Sequence, residues 1–287
     1  MRGFQASFAV VATITLAFGG TAHAQDDQAD DGDIDETIIV DGELPDEDEV
    51  SDAARNLTQG AIGMTSPIIR YYDPLCVQVL GVNERFAEYV RNRVIANARE
   101  AAMPVAEGDC EANGIILVGQ EPRELYDALI DYNPRTVSPR SSSRVRREMS
   151  AGEPAIVWHV LEPRDNAGIN PLPPGWQTTI VPSRTRPAYV VAAKLGVVIL
   201  DADHLVGMDL ERLSDYATMR LLAPRLIPNR YEIEEPRSII YPFEPDLGEG
   251  EMTRFDRAYL SALYSMQPQA PANRLPVAVA RAFEAEE

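Results

Sequence analysis

The chain has 287 residues, 45% of them apolar, with a formal charge of −19. That length fits one large domain or two small ones, and that apolar fraction excludes a wholly disordered chain. The charge argues against a nucleic-acid binder, which needs a basic face to displace counterions from phosphate. Two cysteines and three histidines exclude a cysteine-rich zinc module or a dense disulfide scaffold.

Residues 1–24 have the form of a secretory signal peptide. Arg2 gives the positive start, Phe8 to Phe18 the apolar run, and Ala22-His23-Ala24 a small-x-small site that predicts cleavage between Ala24 and Gln25. The run is shorter than the roughly 20 apolar residues of a membrane span. No later stretch is apolar for longer, and no cysteine follows the run to carry a lipoprotein anchor. The expectation is an exported protein, periplasmic or secreted, with no transmembrane segment after cleavage.

Fourteen acidic residues and no basic one lie between Gln25 and Ala54. Such a block repels itself and has too little apolar surface to fold, so residues 25–66 are expected to be a disordered acidic arm and linker. Asp27, Asp31, Gly32, Ile34 and Asp35 mimic part of a calcium loop, but Ala29 and Ile38 occupy ligand positions. Diffuse cation binding is the plainer reading. The segment from Glu36 to Gly42 resembles the TonB box of outer-membrane receptors, a short strand captured at a partner's sheet edge. That resemblance implies a partner-binding role for Ile38, Ile39 and Val40; the alternative is an apolar patch in a tail.

Ordered structure is expected over 67–265. Leu75 to Leu80 reads as a strand, Asn83 caps a helix running to about Ala102 with Phe86, Val90, Val94 and Ala98 on one face, and Gly114 to Val118 reads as a second strand. If these strands are parallel neighbours, Cys76 and Cys110 meet near one edge. In an oxidising compartment they form a disulfide, the alternative being a reactive thiol pair. A helix follows from Pro122 to about Asp131. A basic segment then holds Arg135, Arg140, Arg144, Arg146 and Arg147, with Ser141 to Ser143 as candidate caps. It suits an anion site, a solvated face or a docking patch for the acidic arm.

Ala155 to Leu161 reads as a strand with Ile156, Trp158 and Val160 on one face and Val157, His159 and Leu161 on the other. Residues 163–187 carry six prolines and read as a long loop, before strands at Ala188–Ala193 and Val197–Leu200. The alternation of strands and helices predicts an α+β or α/β fold in a single domain, with helices towards the C-terminus and a tail at 266–287.

No G-x-S-x-G elbow, H-E-x-x-H, phosphate loop or dinucleotide fingerprint is present, so neither a cofactor nor a metal site is predicted. The one local cluster is Asp201, Asp203 and His204 after an apolar strand. Carboxylates orient or activate an imidazole, which makes these residues weak catalytic candidates. They also suit a turn into a helix N-terminus.

Asp209 caps a helix to Ala223 with Leu210, Leu213, Ala217 and Leu221 on its buried stripe. Ser238-Ile239-Ile240-Tyr241-Pro242 follows, then a helix from Met252 to Tyr264 in which Thr253 and Asp256 make a capping box and Leu260 and Leu263 an apolar stripe. These motifs resemble the end of a metzincin metalloprotease domain of the matrixin sort, where a methionine turn of the form A-L-M-Y-P precedes a helix of the form L-x-x-D-D-x-x-x-I-x-x-L-Y. Asp256, Leu260, Leu263 and Tyr264 match that spacing. The resemblance implies a zinc signature on the preceding helix. Its best register begins Asp215-Tyr216-Ala217-Thr218-Met219 and continues to Leu222 and Arg225. Met is a poor zinc ligand and Arg is none, Tyr216 replaces the glutamate that activates water, and Ile240 stands at the turn's methionine. The C-terminal pattern is also similar to a family of exported alphaproteobacterial proteins of the sphingomonad type. The implied reading is a zincin-like scaffold without its metal site, acting as a non-catalytic module that binds a cell-envelope partner. The alternatives are a hydrolase around Asp201, Asp203 and His204, and a TonB-system partner acting through residues 36–42.

Overall fold

Several helix starts are set by side-chain caps. The carboxamide of Asn83 accepts the Phe86 N–H at 3.1 Å and begins α2 (Glu84–Glu100), and Asp209 accepts the Arg212 N–H at 2.7 Å and begins α5 (Leu210–Leu222). The computed structural model describes residues 45–58, 68–137, 139–175, 188–224, 226, 236–243 and 251–286. The remaining elements are α1 (Glu47–Leu57), β1 (Ile69–Arg70), β2 (Val77–Leu80), β3 (Gly114–Gly119), α3 (Pro122–Tyr132), α4 (Pro139–Ser150), β4 (Ala155–Arg164), β5 (Val190–Asp201), α6 (Arg254–Ser265) and α7 (Leu275–Ala285).

β5 is the centre of a five-stranded sheet. β3 pairs with it in parallel from Gly114↔Gly196 to Gly119↔Asp201, β1 pairs in parallel at Val191 and Ala192, and β4 runs antiparallel along its opposite edge. β2 extends the sheet in parallel beyond β3. The inner strand β3 is apolar on both faces, as a parallel strand covered on both sides must be. Ile116 and Val118 join Val198 and Leu200 of β5 under α2, α5, α6, α7 and α1; Ile115 and Leu117 join Val197 and Ile199 under α3 and α4. The architecture is α/β, with helices on both faces of a mostly parallel sheet.

On the α3–α4 face, Trp158 is fully buried and donates its indole N–H to the Thr136 carbonyl at 2.7 Å, with Tyr126 edge-on to its ring. At the end of β2, Gly81 adopts φ +88°, and a Cβ there would lie 1.9 Å from the Val118 carbonyl oxygen. Only glycine lets the chain turn so close to β3.

Three expectations need correction. The acidic arm does not extend to residue 66: the compact unit is Leu44–Glu287, and α1 folds within the stretch expected to be disordered. Its acids are the reason it starts where it does. Asp46 and Glu49 form a reciprocal capping box, and Glu47, Asp48 and Glu49 occupy the electropositive first turn. Val50, Ala53, Ala54 and Leu57 then form a buried stripe against α7. Residues 266–287 are not a tail either, because α7 buries Leu275, Val279, Ala280 and Phe283. Pro276 sits in its first turn, where the missing N–H costs no helical bond.

The third correction joins the two strands expected at 188–193 and 197–200 into the single strand β5, since Gly196 and Leu195 continue the ladder with β4 and pairing resumes at Ala193 after a bulge at Lys194. Smaller differences follow from packing. Phe86 is 42% exposed while Ala87 faces the core, and Ser141 to Ser143 lie inside α4 instead of capping it. No described helix is long and apolar enough to cross a membrane.

Candidate functional site

The β2–α2–β3 crossover brings Cys76 and Cys110 together as a disulfide with Cα atoms 6.1 Å apart. Asn113 reinforces this junction: its carboxamide accepts the Cys76 N–H at 2.8 Å and donates to the Pro74 carbonyl at 3.0 Å. No free cysteine is present.

Asp201, Asp203 and His204 lie at the carboxyl end of β5, beside the end of β3. Asp201 accepts the Asp203 N–H at 3.1 Å and begins a short 3₁₀ turn, Ala202–Leu205. His204 Nδ1 stands 3.3 Å from Asp201 Oδ2 with its ring nearly half exposed, and Gln120 donates to Asp203 at 3.2 Å. The cluster therefore holds an oriented imidazole–carboxylate contact, and Asp203 is turned away to Gln120. Among the described residues no three His, Cys, Asp or Glu side chains converge as metal ligands.

The C-terminal third contains two buried carboxylates, and the structure shows what each holds. Asp215 accepts Nε and Nη2 of Arg93, the Asn97 amide and the Met252 N–H, all within 2.7–2.9 Å. Burial raises its pKa, but Arg93, the Met252 N–H and Asn97 outweigh that and hold the carboxyl below the usual aspartate range. Sequence reasoning missed this network because Arg93 is 122 residues away; a charged residue inside an apolar helix stripe was the available signal. Asp215 opens the register of the implied zinc signature, and its donor set does not fit zinc. Its oxygens are saturated by donors, Met219 is fully buried in the core, and Tyr216 is buried edge-on to Phe243. Arg225 lies outside the described residues.

Asp256 ties together the two motifs that carry the metzincin resemblance. It accepts the Ser238 hydroxyl, the Ile239 N–H at 2.8 Å, and the Thr253 N–H and hydroxyl at 3.0 and 2.9 Å. Burial raises its pKa against these opposing hydrogen bonds. Ile240, at the position of the turn's methionine, is buried.

His159, on the β4 face that meets α5, places Nε2 2.8 Å from the Leu221 carbonyl. A carbonyl only accepts, so the neutral ring carries its proton on Nε2. Burial, aided by Arg220 and Arg144 and opposed by the Leu221 bond, lowers its pKa to about 4. Tyr71 stands edge-on to the ring at 6.3 Å. A Cβ on Gly196 would lie 2.2 Å from the Tyr71 hydroxyl and 2.9 Å from His159, so the glycine that interrupts the β5 pattern makes room for this pair. In the basic segment, Arg144 is tied to the Val157 carbonyl at 2.9 Å.

Sequence reasoning also missed a groove of about 1090 Å³ between the α6–α7 connection and the outer face of α7. It is lined by Gln267 and Pro268 of the connection and by Arg274, Val277, Ala278 and Arg281 at the start and along the length of α7. It lies where a tail was expected, so no motif search reached it. Ile38, Ile39 and Val40 lie outside the described residues. Comparison with known protein families, curated proteins and solved structures finds no match to this chain.

Proposed function

We propose that this chain is an exported, non-catalytic module that binds a cell-envelope protein, built on a zincin-like scaffold whose metal positions have become structural. The groove beside α7 is the observation that carries the binding reading. It combines two exposed arginines, side-chain amides and apolar side chains, the mixture of apolar and directional polar groups that recognition sites use. Export is supported by the signal-like residues 1–24 and by the Cys76–Cys110 disulfide, which persists in oxidising compartments. The scaffold reading is supported by the saturated Asp215 and by the Asp256 link between Ser238–Pro242 and α6.

The test is photocrosslinking in a two-membrane bacterium, with p-benzoylphenylalanine at Val277 or, as control, at the exposed Tyr132. A discrete protein adduct at 277 and none at 132 supports the module; no adduct at 277 counts against it.

A second reading is favoured by the Asp201–His204 contact: a hydrolase acting at the carboxyl end of β5. Turnover of a peptide or ester library that His204→Ala abolishes without lowering the Tm would replace the first reading with this one. Retained turnover in that variant would exclude the cluster.

A further inference from the structure

From the groove beside α7, we infer that the partner presents an acidic extended peptide with carboxylates at positions i and i+3. This rests on the binding reading above and names the chemistry of its ligand. Arg274 and Arg281 are both exposed and line the groove, and among the described residues neither has an ion-pair or hydrogen-bond partner for its guanidinium. Most other described arginines are engaged. Arg93, Arg164 and Arg257 pair with carboxylates, and Arg70, Arg144, Arg212 and Arg254 donate to carbonyls. In a chain of charge −19, two unneutralised cations lining one groove form a local positive site that selects an anionic ligand.

The spacing specifies the anion. The two arginines are seven residues apart and lie on one helix face, about 10.5 Å apart at 1.5 Å rise per residue. A polyproline II segment brings residues i and i+3 onto the same side about 9.3 Å apart. The arginine side chains absorb the remaining difference, and each guanidinium offers a fork suited to one carboxylate. The two intervening peptide residues then cross Val277, which is 39% exposed, and Ala278. The α6–α7 connection lining the same groove offers Pro268 and Pro271 for apolar contact and the carboxamides of Gln267 and Gln269 for the peptide backbone. A flat anionic membrane matches this concave, two-point arrangement less well than an extended peptide does.

The test is fluorescence anisotropy on protein carrying residues 25–287. The labelled probe is the peptide GPEPLEPLEPG, with the glutamine peptide GPQPLQPLQPG and phosphatidylglycerol vesicles as comparisons. The expected result is saturable, salt-sensitive binding of the acidic peptide, weakened at least about tenfold by Arg274→Gln with Arg281→Gln. The Tm stays unchanged and the glutamine peptide does not bind. Equal affinity in the double variant, no binding by the unsubstituted protein, or binding of vesicles in place of the peptide overturns the inference. If the Val277 crosslink still forms when peptide binding is absent, the acidic-peptide inference fails and the module reading stands. If both are absent, the module reading fails as well.

Discussion

Arg93 on α2 and Asp215 on α5 meet in a two-point contact, Nε and Nη2 each donating to a different carboxylate oxygen at 2.8 Å. Asp215 is fully buried while Arg93 remains partly exposed, so the pair joins the core to the surface. Glu211 adds a second anion to Arg93 at 2.8 Å. Removing the cation leaves a buried carboxylate with only the Asn97 and Met252 donors. Arg93→Ala is therefore expected to lower unfolding free energy by about 3 kcal/mol. Arg93→Ala with Asp215→Ala should cost clearly less than the sum of the single losses, because each single change strands the other partner. Urea denaturation of the four proteins checks this; additive losses would contradict the coupling.

Asp256 accepts only from donors: the Ser238 and Thr253 hydroxyls and the Ile239 and Thr253 N–H groups. Asp256→Asn is nearly isosteric, but it turns an NH₂ group towards donors and leaves some of them unsatisfied. A loss of about 2–3 kcal/mol is expected. Hydrogen exchange should show the Ile239 and Thr253 amides losing protection first, while α2 stays protected.

His159 sets a pH dependence with a definite sign. Its folded pKa is depressed to about 4 from 6.5, so between those values the unfolded chain binds the proton and the folded protein does not. Stability is unaffected by this group above pH 6.5. It falls as the pH drops towards 4, by about 3 kcal/mol in total. In His159→Gln, whose amide can still donate to the Leu221 carbonyl, that slope should disappear. Denaturant midpoints at intervals from pH 7.5 to 4 measure it.

The Cys76–Cys110 bond closes a loop of sequence separation 34, for which chain entropy gives about 3–4 kcal/mol. Cys76→Ser with Cys110→Ser should lower the Tm while preserving the fold, because Asn113 continues to bridge Cys76 and Pro74. Adding Asn113→Ala to that variant should cost a further 1–3 kcal/mol or so. Retention of the full Tm after reduction would contradict this account.

The legible parts of the fold were those written in local chemistry. The caps at Asn83 and Asp209, the capping box of Thr253 and Asp256, and the apolar runs of β2 and β3 all depend on neighbours in sequence. The Cys76–Cys110 bridge could be anticipated because a parallel crossover leaves few places for two cysteines to meet. α1 was obscured because its acids dominate the composition, although Val50, Ala53, Ala54 and Leu57 already carried the helical period. α7 was obscured by Pro268, Pro271 and Pro276, of which the last is compatible with a helix start. The Arg93–Asp215 pair and the arginine groove were invisible for a different reason: tertiary packing of α2 on α5, and of α7 on α6 and α1, creates them.

The most direct test of the account is the metal content of the exported protein, purified from the periplasm without chelator or metal-affinity steps. With Asp215 saturated by Arg93, Asn97 and Met252, zinc should not exceed the buffer blank, and EDTA should leave the Tm unchanged. About one zinc per chain, lost in Asp215→Ala, would contradict the structural assignment of that carboxylate and restore a catalytic reading of the scaffold.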